Sequence, residues 1–191
     1  MNDWTSRSYA VVDVEGNGQR PPSLVEVAVA PIDHGVAGPA VSWAIRPPAP
    51  ITEIARRIHG ISNSDVAAQP PISAVADDIA AAMAGRVFVA HAAYVDLGVL
   101  TRELPGWGPA AGVVDTLKLS RSLLADAPSH KLTLLAAHLG IAGGLPGLRS
   151  HRAGYDATMC ARLFVYLAEL PGGADAITTS LGEDGADDAL F

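Results

Sequence analysis

Short runs of apolar, mostly β-branched residues are separated by turns along this chain, and each run predicts a buried strand. The first run, Tyr-Ala-Val-Val-Asp-Val at residues 9–14, is followed by a Gly-Asn-Gly turn at 16–18. Further runs predict strands at 24–30, 41–45, 87–90 and 113–114. The first three strands follow one another closely, so we expect them to form an antiparallel meander.

Around and after the later strands, apolar residues recur at helical spacing. The predicted helices cover residues 52–58, 70–84, 94–104, 117–124, 132–139 and 153–170. Thr52 and Asp115 stand where helix N-caps are expected, and Gly85 and Gly140 follow predicted helix ends. This order of elements predicts an α/β fold in which helices flank a central mixed sheet of five strands, three antiparallel and then two parallel.

Charge distinguishes the end of the chain from the rest. The whole chain carries 13 basic and 20 acidic residues, but residues 171–191 hold five of the acids and no lysine or arginine. We expect one domain over residues 1–170, long enough for a full hydrophobic core, and an acidic, disordered tail over 171–191. The domain then has 13 basic and 15 acidic residues. This balance argues against a broad basic face that grips a long nucleic-acid duplex.

The pattern holds no signal for a membrane or for export. No run of about 18 apolar residues occurs, and the first eight residues lack the basic start and apolar stretch of a signal peptide. The single cysteine, Cys160, rules out an internal disulfide and fits a reducing compartment. We therefore expect a cytoplasmic protein.

Two carboxylates project from one face of the first predicted strand. Asp13 and Glu15 stand two residues apart, and side chains at this spacing share a face. The neighbouring residues Val11, Val12 and Val14 are apolar, so two negative charges are costly there without a partner. A divalent cation such as Mg²⁺ or Mn²⁺ is the natural partner because it prefers carboxylate oxygens.

Two further acids and a histidine stand beside later elements. Asp96 follows the strand at 87–90 by six residues, near the strand end where open α/β sheets place their sites. His151 and Asp156 are five residues apart, which is about 140° around a helix axis, so we expect His151 in the loop before the last helix. The ordinary pKa of histidine, about 6.5, suits it to take a proton from water near neutral pH.

The order and spacing of these residues resemble the DEDDh family of 3′→5′ exonucleases, the DnaQ-like group of the ribonuclease H-like superfamily. Asp13-x-Glu15 is similar to the first family motif, the segment ending at Asp96 to the second, and His151-x4-Asp156 to the third. The similarity covers about residues 9–170, including the connecting segments at 58–61, 115–117 and 132–141. The resemblance implies a ribonuclease H-like fold.

The resemblance also implies a role for each of these residues. Asp13, Glu15, Asp96 and Asp156 would hold two divalent metal ions, Mg²⁺ or Mn²⁺, and His151 would deprotonate the attacking water. The reaction would hydrolyse phosphodiester bonds at the 3′ ends of single-stranded DNA or RNA and release nucleoside 5′-monophosphates. In such sites two ions about 3.5–4 Å apart stabilise the attacking and the leaving oxygen.

Seven further residues are expected to contact the substrate: Gly16, Asn17, Gly18, His91, Tyr94, Arg149 and Arg152. The family often has threonine and glycine after the first motif. Here the backbone amides of the Gly-Asn-Gly turn and the Asn17 side chain are expected to replace the threonine contact. Val95 replaces the usual phenylalanine of the second motif, so base stacking would either be lost or move to Tyr94. Lys118, Arg121 and Lys131 are candidates for a second basic edge, with ordinary solvated surface charge as the alternative.

Three functional hypotheses remain open at this point. The first is a stand-alone exonuclease, and the second is a proofreading or repair subunit that depends on a polymerase or another partner. The third is an inactive nuclease fold that serves as a nucleic-acid-binding module. All five predicted metal-binding and base residues are present, which favours the first two. Some members of the resembled family are dimers, so a homodimer also stays open, as does the choice between DNA and RNA.

Overall fold

The computed structural model describes residues 4–144 and 150–183. Six strands form one mixed sheet: β1 (Tyr9–Gly16), β2 (Leu24–Asp33), β3 (Val36–Ala37), β4 (Val41–Ala44), β5 (Val87–Ala90) and β6 (Val113–Asp115). The helices around it are α1 (Glu53–His59), α2 (Asn63–Val66), α3 (Ala76–Met83), α4 (Ala93–Glu103), α5 (Thr116–Leu123), α6 (Leu132–His138), α7 (Ala153–Glu169) and α8 (Gly173–Glu183). Within the described ranges, no helix is long and apolar enough to span a membrane.

Strand β1 is the centre of the sheet. It pairs antiparallel with β2 on one side and parallel with β5 on the other, and β6 lies parallel to β5 beyond it. Both β3 and β4 pair antiparallel with β2. The predicted mixed sheet is confirmed, and the structure adds to the five expected strands the two-residue strand β3. Because β1, β5 and β6 are parallel, their carboxyl ends meet at one edge of the sheet.

Strand β1 is buried on both faces because its residues alternate between two cores. Tyr9 and Val11 belong to the core that includes Phe164 of α7. Ala10 and Val12 belong to the core on the opposite face, with α3 and α4. Since residues two apart share a face, residues 13 and 15 lie on the same side of β1 as α7.

Helix α3 is shorter than the apolar pattern predicts. A helix was expected over residues 70–84, but the chain forms a 3₁₀ turn at Ile72–Ala74 and α3 begins at Ala76. Val75 separates the two with φ −127° and ψ 0°, outside helical geometry. The ends of the other predicted helices agree with the structure to within one residue.

Helix α8 corrects the prediction of disorder from residue 171 onward. Residues 173–183 are helical, and Ile177 is only 1% exposed and joins the core on the α7 side of the sheet. The segment is small and polar in composition, yet Ala176, Ile177 and Leu181 recur at helical spacing and give it an apolar side. Residues 184–191, which hold most of the acids of the predicted tail, lie outside the described residues.

Replacing Ile177 with alanine tests whether α8 is an integral part of the domain. We expect Ile177→Ala to lower the free energy of unfolding by about 2–5 kcal/mol, because it removes a buried side chain from a packed core. Ile54→Ala is the matched control, since Ile54 is 73% exposed and its loss should cost about 0.5 kcal/mol or less. Urea denaturation measures both values. Equal, small losses in the two variants would contradict the packing of α8.

Candidate active site

Two acids at the carboxyl end of β1 meet a third acid from α7. Asp13 and Glu15 lie on the face of β1 that turns toward α7, and Asp156 lies in the first turn of that helix. The three carboxylates offer oxygen atoms that all lie within 4.8 Å of one another. The structure thus brings together three of the four acids that were expected to hold metal.

Asp96 approaches the same strand from α4. Its side chain is buried, and its Oδ1 accepts a hydrogen bond from the backbone N–H of Val14 at 3.1 Å. It lies outside the group of three close carboxylates, but its negative charge acts on both Asp13 and Glu15. The fourth acid therefore borders the cluster rather than standing apart from it.

These acids are held where ionisation is costly. Burial, and then the charges of Asp156 and Glu26, raise the pKa of Glu15 to about 8. Burial raises the pKa of Asp96 to about 7. The pKa of Asp13 is raised well above its usual range, first by burial and then by the charges of Asp96 and Asp156. Each acid thus adds to the cost of ionising its neighbours.

A divalent cation is the partner that this cluster fits. Among the residues that the structure describes, no lysine or arginine forms an ion pair with Asp13, Glu15 or Asp156. Within the described part of the chain, the negative charge of these three acids is therefore concentrated without a lysine or arginine paired to it. Carboxylate oxygens are hard donors of the kind that Mg²⁺ and Mn²⁺ prefer. The donor set and its charge fit such an ion.

His151 lies on a cleft that opens beside the carboxylates. The cleft has a volume of about 650 Å³ and is lined by Asp13, His151 and Asp156 together with residues of α5 and α6. His151 is exposed, its backbone φ is +59°, and its backbone N–H donates to Asp156 Oδ2 at 2.8 Å. Since α7 begins at residue 153, the prediction that His151 precedes the helix in a loop is confirmed.

An ion pair between a buried glutamate and a partly exposed arginine fixes the start of α7. Glu26 of β2 stands opposite Glu15 in the sheet and is 5% exposed. Its carboxylate accepts hydrogen bonds from Arg152 Nε and Nη2 at 3.0 and 2.6 Å, and from the backbone N–H of Ala153 at 2.9 Å. The guanidinium of Arg152 thus binds a carboxylate of the protein while its side chain remains partly exposed, and its expected contact with substrate stays a prediction. In the sequence, Glu26 is one acid in an apolar strand, and nothing marks a partner 126 positions away.

Asp115 joins α4 to α5 at the carboxyl end of β6. Its carboxylate accepts two backbone N–H groups of α5, at 2.8 and 3.3 Å, which is the N-cap that the sequence predicted. The same carboxylate accepts the backbone N–H groups of Ala92 and Ala93, both at 3.1 Å. Ala92 has a left-handed backbone conformation and precedes α4 directly. Asp115 therefore holds in place the helix that carries Asp96.

Asn17 has a structural role that the sequence did not predict. The residue is fully buried, and its Oδ1 accepts the backbone N–H groups of Gln19 and Ser23 at 3.1 and 3.0 Å. Its Nδ2 donates to the carbonyl of Ala49 at 3.2 Å. These bonds hold the turn between β1 and β2, so the expectation that Asn17 binds a nucleotide is corrected. Contacts from the glycines on either side, at 16 and 18, stay predictions.

His91 lines the cleft, but both of its ring nitrogens have partners within the protein. Nδ1 lies 2.9 Å from Thr116 Oγ1, and Nε2 lies 2.8 Å from the carbonyl oxygen of His130. The imidazole thus connects the end of β5 with α5 and with the segment before α6. Its polar atoms are used inside the protein, which leaves only ring carbons for the predicted contact with substrate.

Two predicted substrate contacts, Arg149 and Tyr94, and the predicted basic edge complete the comparison with the sequence. Arg149 lies outside the described residues. Tyr94 is 76% exposed and sits two residues before Asp96, so its stacking role stays a prediction. Of the predicted basic edge, Arg121 and Lys131 line the cleft, whereas Lys118 is not among its lining residues.

Comparison with protein families gives one match that spans most of the chain. The RNase_T model, described as exonuclease, matches residues 10–164. Among curated proteins, the 3′-5′ exonuclease DinG of Bacillus subtilis is 32% identical over 84% of this chain, and a DNA polymerase III subunit epsilon-like protein of Rhodobacter capsulatus is equally identical over the same share. The chain spans only 18% and 23% of those two proteins.

Solved structures of exonucleases share this fold. Exonuclease X in complex with 5′ overhanging duplex DNA is 29% identical, with a TM-score of 0.72 over 86% of this chain and 93% of that one. Exonuclease I of E. coli in complex with a dA16 oligonucleotide is 17% identical, with a TM-score of 0.74 over 91% of this chain and 43% of that one. The second likeness concerns the fold alone.

The raised pKa values predict how the stability of the metal-free protein depends on pH. Glu15 and Asp96 bind protons more tightly in the folded state, so stability falls as the pH rises from about 4, near their ordinary pKa values, to about 8. At pH 8, Mn²⁺ at a hundred times its dissociation constant should restore about 2.7 kcal/mol. Urea denaturation at several pH values, with EDTA or with Mn²⁺, measures both effects.

Glu15→Gln is the control for this pH dependence. The variant cannot ionise at residue 15, so its metal-free stability should fall less steeply with pH and Mn²⁺ should restore less of it. An identical pH dependence in the variant and the unaltered protein would contradict the assignment of the effect to the carboxylate cluster.

Removal of the Asp115 carboxylate tests its support of Asp96. Groups that orient metal ligands typically change metal affinity or activity by about 10–100-fold when lost, and we expect Asp115→Ala to weaken Mn²⁺ binding within this range. Asp126→Ala is the control, since Asp126 is an exposed loop acid. Calorimetric titration with Mn²⁺ gives both affinities. Unchanged affinity in Asp115→Ala would show that α4 holds Asp96 without this carboxylate.

Proposed function

Since the chain belongs to the RNase_T exonuclease family, we propose that it is a metal-dependent 3′→5′ exonuclease. It hydrolyses phosphodiester bonds at the 3′ ends of single-stranded nucleic acid and releases nucleoside 5′-monophosphates. One observation carries this proposal: Asp13, Glu15 and Asp156 offer oxygens within 4.8 Å of one another, and the cleft lined by two of them is also lined by His151.

The acids would hold the metal. Asp13, Glu15 and Asp156 are the nearest donors, and Asp96 borders them from α4. We propose two Mg²⁺ or Mn²⁺ ions there, which when bound stabilise negative charge on the attacking and the leaving oxygen of the phosphate. The raised pKa values of Glu15 and Asp96 support this assignment, because a bound cation supplies the countercharge that the described residues lack.

His151 supplies the base. A water oxygen forms a bond to the scissile phosphorus while the imidazole of His151 takes one of its protons. The bond from phosphorus to the 3′ oxygen of the preceding nucleotide breaks, and that oxygen takes a proton from solvent. The position of the base is supported by the hydrogen bond from the backbone N–H of His151 to Asp156. Because His151 is exposed, its imidazolium can return the proton to bulk water between turnovers.

A second candidate role is supported by the small share of its longer relatives that the chain matches. The chain matches 12% of a PolC-type DNA polymerase III of Staphylococcus haemolyticus and 23% of the epsilon-like protein. An equivalent domain therefore occurs inside or beside polymerase machinery, and this chain is a candidate proofreading or repair subunit with a polymerase partner.

The single free cysteine, which is buried, supports a cytoplasmic location.

Two histidines with the same backbone conformation provide a matched test of the general base. His151 and His34 both have positive φ, at 59° and 52°, and asparagine tolerates this conformation. We expect His151→Asn to lower kcat by about 10²–10⁴-fold, the usual contribution of a general base. His34→Asn should retain activity, because His34 follows β2 at the end of the sheet away from the carboxylates.

The assay uses DNA and RNA single strands of one sequence, labelled at the 5′ end, with Mn²⁺, Mg²⁺ or EDTA. We expect metal-dependent shortening by single nucleotides, and the ratio of the two rates gives the preferred nucleic acid. Cleavage by His151→Asn at the rate of the unaltered protein would overturn the role of the base. No cleavage of either strand by the unaltered protein, together with retained binding, would favour a binding module.

A further inference from the structure

The cleft beside the carboxylates also carries positive charge that the reaction does not use. Arg121 of α5 and Lys131, which precedes α6, line the same cleft as Asp13 and Asp156. The charge of Arg121 acts on His91, which also lines the cleft. With a volume of about 650 Å³, the cleft is within the usual range for sites that bind whole ligands.

In the part of the chain that the structure describes, neither cation has an acidic partner. Across residues 4–144 and 150–183, no carboxylate forms an ion pair with Arg121 or Lys131. Five other arginines of the chain do pair with acids: Arg56, Arg57, Arg86, Arg102 and Arg152. In a protein with a net charge of −7, two unpaired cations on one cleft favour an anionic ligand there.

The backbone that carries these cations is fixed by a hydrogen-bond network. Ser120 is fully buried, and its Oγ lies 3.1 Å from Nδ1 of His130. His130 in turn is held through its carbonyl oxygen, 2.8 Å from Nε2 of His91. Ser120 and His130 directly precede Arg121 and Lys131 in the chain, so the network connects the attachment points of both cations. Such support reduces the cost of ordering them around a ligand.

The proposed function limits which anion this can be. When the terminal nucleotide is removed from a 3′ end, it contributes only the scissile phosphate, and that phosphate lies at the carboxylates. Every other phosphate of the substrate belongs to the retained strand, on the 5′ side of the scissile bond. Arg121 and Lys131 share the cleft with the carboxylates but form no ion pair with them among the described residues. This placement favours a contact of the two cations with the retained strand.

We propose that Arg121 and Lys131 bind a backbone phosphate of the retained strand, 5′ to the scissile phosphate. This inference rests on the proposed function and adds a substrate preference to it. Substrates with two or more phosphodiester bonds gain the contact, whereas a single nucleotide ester cannot reach it. The exposed side chains act on the sugar–phosphate backbone and not on a base, so the preference is for length and not for sequence.

Two small substrates separate this contact from the chemistry. The p-nitrophenyl ester of thymidine 5′-phosphate carries one phosphate, and the trinucleotide dT3 carries two. The quantity to measure is kcat/KM for dT3 divided by kcat/KM for the ester, with Mn²⁺. We expect Arg121→Gln and Lys131→Gln each to lower this ratio roughly tenfold, the size typical of one lost charge-assisted hydrogen bond, mainly through the KM for dT3.

Arg7→Gln is the charge-matched control. Arg7 is exposed and precedes β1 at the end of that strand away from Asp13, so the ratio should stay as in the unaltered protein. Thermal unfolding of each variant checks that the fold is retained. A ratio unchanged in both cleft variants would overturn the inference. It would also be overturned if both variants lost ester hydrolysis as strongly as dT3 hydrolysis, because the cations would then act at the scissile phosphate.

Binding without turnover gives an independent measurement. Fluorescence anisotropy of labelled dT6 in EDTA yields the dissociation constant at several salt concentrations. Loss of one phosphate contact should reduce the slope of log K against log salt by about 0.7 for a single strand, in both cleft variants and not in Arg7→Gln. An unaltered slope in the cleft variants counts against the inference. If the unaltered protein hydrolyses neither substrate, the proposed function fails while the slope still decides whether the cations hold a phosphate.

Discussion

The repulsion among carboxylates at the end of β1 is the constraint on which the rest of this structure depends. Asp13, Glu15 and Asp156 are brought within 4.8 Å of one another, and Asp96 borders them. Burial raises the pKa values of Asp13, Glu15 and Asp96, and the charges of neighbouring acids add to the shift at Asp13 and Glu15. The arrangement therefore costs folding energy while no cation is bound. A cluster of this kind persists only where the surrounding fold determines it strongly. A bound divalent ion removes this cost, because the ionised form of the carboxylates is then favoured over the protonated form.

The scaffold meets this constraint with two contacts outside the cluster. Glu26 binds Arg152 and the backbone at the start of α7, so a fifth acid near the site is paired with a cation while it anchors the helix that supplies Asp156. Asp115 accepts backbone N–H groups from the starts of both α4 and α5 and thereby supports the helix that supplies Asp96. Each of the acids outside β1 thus depends on a carboxylate whose role is structural.

The sequence predicts the acids well because their positions follow from local rules. Alternation along a strand places Asp13 and Glu15 on one face, and parallel strands bring their carboxyl ends to one edge. What local rules do not contain is a long-range partner. In the sequence, Asn17 stands in a Gly-Asn-Gly turn with no visible partner, but its side chain accepts hydrogen bonds from the backbone of that turn. Arg152 stands beside His151 with no visible partner, but its guanidinium donates to Glu26. Helix α8 was missed because its few apolar residues gain meaning only against the core that they cover.

The most direct test of this account is a crystal structure of the protein with Mn²⁺, located by anomalous scattering. The account predicts manganese bound by the carboxylates of Asp13, Glu15 and Asp156, with Asp115 still bonded to the start of α4 and Glu26 still bonded to Arg152. A crystal grown in Mn²⁺ with no anomalous signal at these carboxylates, or with manganese bound only elsewhere, would contradict it. The metal site would then no longer explain why this fold keeps four acids together in a partly buried place.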